Sequence, residues 1–294
     1  MTGLIVVGVD GSRHASRAVE LAADAAARRG AELQVIHAFT WPLIHPPLVP
    51  DTSTEYLDPR RRAWVIVDAA ECAAVQRHPE LVLDGRVVNG AAPGVLVEAS
   101  RHADVLYVGH RGLSGFNELV MGSVGVAAII DAYCPVVVVR GEPSAPDAPV
   151  IVGIDGSNSA YVAARAGFEE ARLRGADLVA AWVRTPGLGR RAAEWDADAT
   201  ALPGIAQGFP GVRWTTHLGY DQSAPEYLER LAKRTGAGLL VVGSHGIGGL
   251  RGLLLGGTCR HLVDHAPCPV LVTRPKVEQR TAVGKAATGT SPTA

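Results

Sequence analysis

Cysteine is scarce in this chain. Four thiols stand at positions 72, 134, 259 and 268 of 294 residues, with no CxxC pair among them. That spacing excludes a disulfide framework, and the expectation is free thiols in a reducing compartment. Long apolar runs are missing too. No stretch approaches the length of a membrane span, and the N-terminus enters a strand pattern at once, without a basic segment, apolar stretch and cleavage site. The expectation is a cytoplasmic protein with no membrane partner. Neither sign of charge dominates, since 28 basic residues face 29 acidic ones. The densest basic cluster, Arg60-Arg61-Arg62, reads as the solvated start of a helix, so nothing in the charge pattern calls for nucleic acid. Several signature loops are also absent: GxxxxGK[ST], GxGxxG, the GxSxG elbow and the SGGxDS pyrophosphate loop.

What the chain does have, it has twice. Ile5-Val6-Val7-Gly8-Val9-Asp10-Gly11-Ser12 is matched by Val150-Ile151-Val152-Gly153-Ile154-Asp155-Gly156-Ser157. Gly109-His110-Arg111-Gly112, then nine residues, then Gly122-Ser123, is matched by Gly243-Ser244-His245-Gly246, nine residues, and Gly256-Gly257. Each half then closes on Cys-Pro-Val, at Cys134 and at Cys268. The offset is 145 residues at the first motif and 134 at the later ones, so the second copy is 11 residues shorter in between. Two similar domains in tandem are the economical reading.

Within each half, short runs rich in valine and isoleucine, mostly apolar on both faces, alternate with segments of helical spacing. The first half offers strands at 4–9, 33–39, 81–88, 105–108 and 136–139. Helical stripes run through Ala15, Ala18, Val19, Ala22 and Ala26, and through Ala63, Val67, Ala70 and Ala74. The second half offers strands near 150–154, 177–183, 212–218, 239–242 and 269–273, with room for only a short helix between 185 and 212. The pattern predicts an α/β fold: two doubly wound domains, each a five-stranded parallel sheet flanked by helices. The boundaries are domain one at 1–141, a proline-rich linker at 142–148, domain two at 149–274 and a disordered tail at 275–294.

In such sheets ligands bind beyond the carboxyl ends of the strands, where strand order reverses. Both motifs fall at strand ends. Asp10 can accept a hydrogen bond from an amine or ribose hydroxyl, although Asp10 or Ser12 can equally do no more than cap the helix near Arg13. The glycine motif is more specific. Gly109 and Gly112 bracket the turn after the fourth strand, and Gly122-Ser123 stands where a helix begins, so backbone N–H groups there attract an anion.

These residues resemble the universal stress protein family, whose ATP-binding members carry GxxGx9G(S/T) after the fourth strand of a five-stranded α/β domain of the adenine nucleotide alpha hydrolase type. The resemblance spans residues 3–274. It implies that Asp10 and Ala38 face the adenosine, while Gly109, Gly112, Gly122 and Ser123 hold ribose and phosphates, with Ser12 and Arg111 beside them. Asp155, Ser157, Val183, Gly243, Gly246, Gly256, Gly257 and Thr258 take those places in the second half. It implies ATP, with or without Mg2+, as the ligand, and a homodimer or an intrachain domain pair formed through the last strands, 136–139 and 270–273. A regulatory protein partner of unknown identity completes the expectation.

The second half departs from the pattern at Gly257, where the family has serine or threonine. A hydrogen bond to a charged group contributes roughly 1.5 to 3 kcal/mol, so the second site is expected to be about ten- to a hundredfold weaker. The first half also has Gly125 where a small hydroxyl residue is common. Three functional readings stand at this stage: a nucleotide-dependent regulator of a stress or dormancy response, a slow ATP hydrolase or nucleotidyl transferase, and a nucleotide-free scaffold. For hydrolysis His110, Arg111 and His245 are the loop candidates, yet His110 aligns with Ser244 and Arg111 with His245. The set Cys259, His261, His265 and Cys268 has metal-ligand types, but the first half has Gly125, Ala127, Asp131 and Cys134 there, and a helix end carrying histidines suffices.

Overall fold

The computed structural model describes residues 3–40, 59–112, 121–142, 144–184, 201–221, 223–246 and 255–275. In the first half β1 (Leu4–Gly8), α1 (Arg13–Arg29), β2 (Glu32–Phe39), α2 (Pro59–Arg77), β3 (Leu83–Asn89), α3 (Ala92–Ala99), β4 (Val105–Gly109), α4 (Ser123–Asp131) and β5 (Val136–Val139) follow in order. The second half repeats the plan with β6 (Val150–Ile154), α5 (Asn158–Arg174), β7 (Leu178–Arg184), a helical stretch at 201–206, β8 (Trp214–Tyr220), α6 (Ala224–Thr235), β9 (Leu239–Gly243), α7 (Gly257–His265) and β10 (Val270–Thr273).

The strands form one sheet of ten, in the order β3-β2-β1-β4-β5-β10-β9-β6-β7-β8. Every pairing within a half is parallel, and the halves join through antiparallel β5 and β10, with Val136 opposite Val272 and Val138 opposite Val270. The intrachain alternative for the last strands is the one realised. A pseudo-twofold axis therefore passes between β5 and β10. Packed on one face are α1, α2, α5 and Leu202 of the 201–206 stretch. The other face carries α3, α4, α6 and α7.

The inner strands are buried on both faces, as their unbroken valine and isoleucine require. The outermost strands differ. β3 and β8 are half-exposed, and each starts two residues later than the apolar run suggests. Turns take up the difference: Leu81 N–H donates to the His78 carbonyl at 3.2 Å, and Val212 N–H to that of Phe209 at 3.0 Å.

Helices α1 and α5 begin alike. Gly11 and Gly156 take φ of 83° and 79°, a conformation open to glycine, and this turn delivers Ser12 and Ser157 to the N-cap. Both helices end on a left-handed glycine, Gly30 and Gly175. At the join, Arg140 donates to the Leu262 and Val263 carbonyls of α7 at 3.4 and 3.2 Å. Its counterpart Arg274 donates to the Ile129 carbonyl of α4 at 3.4 Å. Each half thus places a cation on the negative end of the other half's helix. The expected tail lies outside the described residues beyond Arg274 and Pro275, as does most of 185–212.

Candidate functional site

Strand order reverses between β1 and β4, and again between β6 and β9, so the predicted residues gather at two switch points. In the first half the Asp10-Gly11-Ser12 turn leaves β1 beside the Gly109–Gly112 turn leaving β4. Ser12 N–H donates to Asp10 Oδ1 at 2.9 Å, and Ser12 Oγ donates to the Arg111 carbonyl at 3.3 Å. Gly112 lies directly against the aspartate, since a Cβ there would overlap Asp10 Oδ2. Gly122 N–H returns to the His110 carbonyl at 3.0 Å, closing the loop on itself. Of the nine residues between Gly112 and Gly122, the described one is Met121.

The glycines prove to have separate tasks. Gly109 is a packing residue: a Cβ would stand 2.8 Å from the His14 carbonyl carbon, so the bare backbone lets β4 approach α1. Gly112 makes room at the Asp10 carboxylate. Among the described residues no atom lies nearer than 3.8 Å to the Cβ position of Gly122, its closest neighbours being the Arg111 and His110 backbone. Ser123 follows it, exposed, as the first residue of α4.

Capping separates the two helix starts at this site. Ser12 Oγ accepts the Ala15 N–H at 3.2 Å, so the opening turn of α1 is already supplied with an acceptor. Ser12 is 7% exposed, and its hydroxyl is engaged in this cap and in the bond to the Arg111 carbonyl. The start of α4 has Gly122 at the N-cap and, among the described residues, no side-chain cap bond. Its first N–H groups therefore present the positive end of the helix dipole to any anion above Gly122. Ala38 sits half-buried near the end of β2, paired with Val88, on the strand neighbouring β1. The adjacent His37 Nδ1–H donates to the Val9 carbonyl at 2.7 Å, tying β2 to the start of the turn.

The second half repeats this in detail. Ser157 Oγ caps α5 by accepting the Ala160 N–H at 3.1 Å, and Ser157 N–H donates to Asp155 Oδ1 at 3.0 Å. A Cβ on Gly246 would overlap Asp155 Oδ2, and one on Gly243 would crowd Ser159. Gly256 N–H donates to the Ser244 carbonyl at 2.8 Å, and α7 again lacks a side-chain cap bond. Gly256 is more closely flanked than Gly122, with the Ser244 carbonyl 3.3 Å from its Cβ position. No atom of the described residues lies within 4 Å of a Cβ placed on Gly257. Thr258, half-buried, follows in α7, and Val183 pairs with Gly219 at the end of β7.

Repeated glycine turns cradling a carboxylate, beside an uncapped helix start at each switch point, are the decisive arrangement. A family model described as "Universal stress protein family" matches residues 1–140 and again 148–274. The chain belongs to the universal stress protein family. A universal stress protein of Mycobacterium tuberculosis is 33% identical over 291 residues, covering 92% of this chain and 96% of its own length. One from Mycolicibacterium smegmatis is 31% identical over 289 residues, covering 92% and 97%. The crystal structure of a universal stress protein from Archaeoglobus fulgidus shares the fold, with a TM-score of 0.65 at 18% identity over 92% of this chain and 98% of that one.

Sequence reasoning about this universal stress protein missed what the halves contribute to each other. Asp264, from α7 of the second half, accepts the Met121 N–H at 2.8 Å, one residue before Gly122. No sequence signal links positions 143 residues apart. The same carboxylate stands 3.9 Å from His110 Nε2, a buried nitrogen with no hydrogen-bond partner among the described residues. Burial first, then Arg140 and Arg111, push His110 down to about 4, against the opposing pull of Asp264. Burial and Arg111 likewise lower His14.

The histidines near the chain end behave as helix-terminal residues. His261 Nε2 meets Glu229 at 3.0 Å, and His265 Nδ1–H donates to the His261 carbonyl. Burial pushes the Cys259 and Cys268 thiols up to about 12. Among the described residues no group of three or more His, Cys, Asp or Glu is placed to hold a metal ion, and no helix is long and apolar enough to cross a membrane.

Proposed function

We propose that this chain binds an adenine nucleotide, ATP with or without Mg2+, at both switch points, tightly in the first half and weakly in the second, and that occupancy regulates its pairing with a protein partner. The observation carrying this reading is the start of α4 at Gly122, without a side-chain cap bond among the described residues, its Cβ position 3.9 Å from the nitrogen of Gly112, the residue that lies against the Asp10 carboxylate. An anion has N–H donors there, and a donor group of the ligand has the Asp10 carboxylate. Asp10, Gly112, Gly122 and Ser123 would hold the nucleotide, with Ala38 beside the base. Gly109 and Ser12 support that arrangement from behind. Asp155, Gly246, Gly256, Gly257 and Thr258 would do the same in the second half.

His110 supports binding over hydrolysis. A general base works best with a pKa near the operating pH, whereas His110 is held near 4 and is 3% exposed. Its counterpart Ser244 is 1% exposed. The test is calorimetric titration of the full chain with ATP, wild type against Gly122→Ala. Gly122 has φ of −66° and no atom of the described residues nearer than 3.8 Å to its Cβ position, so alanine suits its backbone while filling the ligand's space. A tenfold or greater loss of affinity at the tighter site, with unchanged thermal stability, supports the reading. Unchanged affinity, or no heat from wild type, overturns it.

A further inference from the structure

One contact at the first switch point comes from the other half of the chain. Asp264, in the last turn of α7, accepts the Met121 N–H through Oδ1 at 2.8 Å, across 143 positions of sequence. Met121 is 6% exposed and immediately precedes Gly122, the N-cap of α4. Its side chain packs against the first turn of α4, since a Cβ on Gly125 would stand 3.1 Å from Met121 Sδ. Gly122 N–H in turn donates to the His110 carbonyl at 3.0 Å. Two consecutive N–H groups leading into α4 are thus held, one by the second half and one by the glycine turn of the first.

Asp264 is itself fixed by the join between the halves. Arg140 donates to the Leu262 and Val263 carbonyls just before it, at 3.4 and 3.2 Å, and both of those side chains are buried. The Asp264 side chain is 14% exposed, and the buried His110 Nε2 lies 3.9 Å from the same Oδ1. The reverse contact has no equivalent. Under the 134-residue offset Met121 corresponds to Leu255 and Asp264 to Ile130, and an isoleucine side chain carries no acceptor. The pseudo-twofold is therefore broken at this point, in favour of the first switch point.

We propose that Asp264 is a positioning residue for the first nucleotide site: by fixing Met121 it sets where the N–H groups of Gly122 and Ser123 stand, so that the anion site of one half is completed by the other. This rests on the nucleotide reading above. A helix start binds an anion well when its N–H groups are already aimed, because any ordering left to the ligand subtracts from affinity. An N–H released at a largely buried position needs a new acceptor, and finding one shifts its residue and the N-cap that follows. Asp264 stands seven residues beyond Gly257, about 10 Å along the helix. A change there reaches the first site and leaves the start of α7 in place.

The test is calorimetric titration of the full chain with ATP, together with hydrogen exchange at the Met121 amide without nucleotide, for wild type, Asp264→Ala and Asp264→Asn. Asparagine keeps an acceptor oxygen and alanine does not. In Asp264→Ala the Met121 proton is expected to exchange faster and ATP to bind at least about fivefold more weakly at the first site, with the second step unchanged. Asp264→Asn is expected to stay within about twofold of wild type in both readouts. Were Asp264→Ala not to fold, Asp264→Ser, polar but too short to reach the amide, takes its place with the same expectation. A brace serving stability alone would lower the melting temperature of Asp264→Ala and leave its ATP affinity at the wild-type value. That result overturns the proposal and leaves the nucleotide reading standing, as does an asparagine variant as weak as the alanine one. No ATP heat from wild type overturns the nucleotide reading and this proposal together.

Discussion

Gly257→Ser should convert the proposed nucleotide site of the second half into a near copy of the one proposed for the first. Gly257 is the first residue of α7, exposed, and an added Cβ meets no atom of the described residues within 4 Å. The substitution therefore introduces no clash, and replacing glycine in a helix contributes up to about 0.5 kcal/mol of stability through propensity. The gain in binding is larger. A hydroxyl reaching a phosphate oxygen contributes roughly 1.5 to 3 kcal/mol, which is about ten- to a hundredfold in affinity. The assay is calorimetric titration of the intact chain with ATP. Isolated halves would be poor material, because separating them uncovers β5, β10 and the Arg29–Glu170 pair. Wild type should show two unequal steps that merge in Gly257→Ser, and Ser123→Gly should weaken the first step by a similar factor. Two equal sites in wild type, or no change in Gly257→Ser, would refute the argument that the hydroxyl sets the difference.

Other outcomes follow from the same geometry. Ser12→Ala and Ser157→Ala each remove a helix cap and should cost about 1 kcal/mol in chemical denaturation; a loss for one and none for the other would contradict their equivalence. Gly109→Ala forces a Cβ against the α1 backbone and should destabilise by about 1 to 3 kcal/mol, unlike Gly122→Ala. His110 has its folded pKa depressed to about 4, so the unfolded chain binds the extra proton between its ordinary value near 6.5 and about 4. Its contribution is complete above that window and lost as pH falls through it. The melting temperature should fall over that range and the slope should flatten in His110→Gln. Burial alone would raise Glu170, but Arg29 and Arg174 outweigh it and hold its pKa below the usual range. Stability should therefore drop again as acid reaches that lowered value, and Glu170→Gln should remove this second step.

Much of this molecule is written locally. The inner strands are read from unbroken valine and isoleucine runs because both faces are buried, and the helix starts from Asp-Gly-Ser turns that recur at 145 residues. The edge strands β3 and β8 are less legible at their starts, since apolar residues at Leu81 and Val212 serve turns that pack under the sheet. The candidate site was found through its glycines, yet their division of labour was hidden. Gly109 and Gly112 look alike in sequence, and only the packing of α1 against β4 separates a spacer from a cradle. Ser12 was ambiguous for a similar reason, because a cap and a ligand contact use the same hydroxyl. What crosses between halves, Asp264 to Met121 and Arg140 to α7, depends on the pseudo-twofold and has no local pattern.

The most direct test of nucleotide binding at the first switch point is mass spectrometry of small molecules released from the purified full chain, wild type beside Gly122→Ala. The account predicts ATP released from wild type and lost from the folded variant. Nucleotide retained equally by both proteins, or no nucleotide from wild type together with no heat on adding ATP, would contradict it.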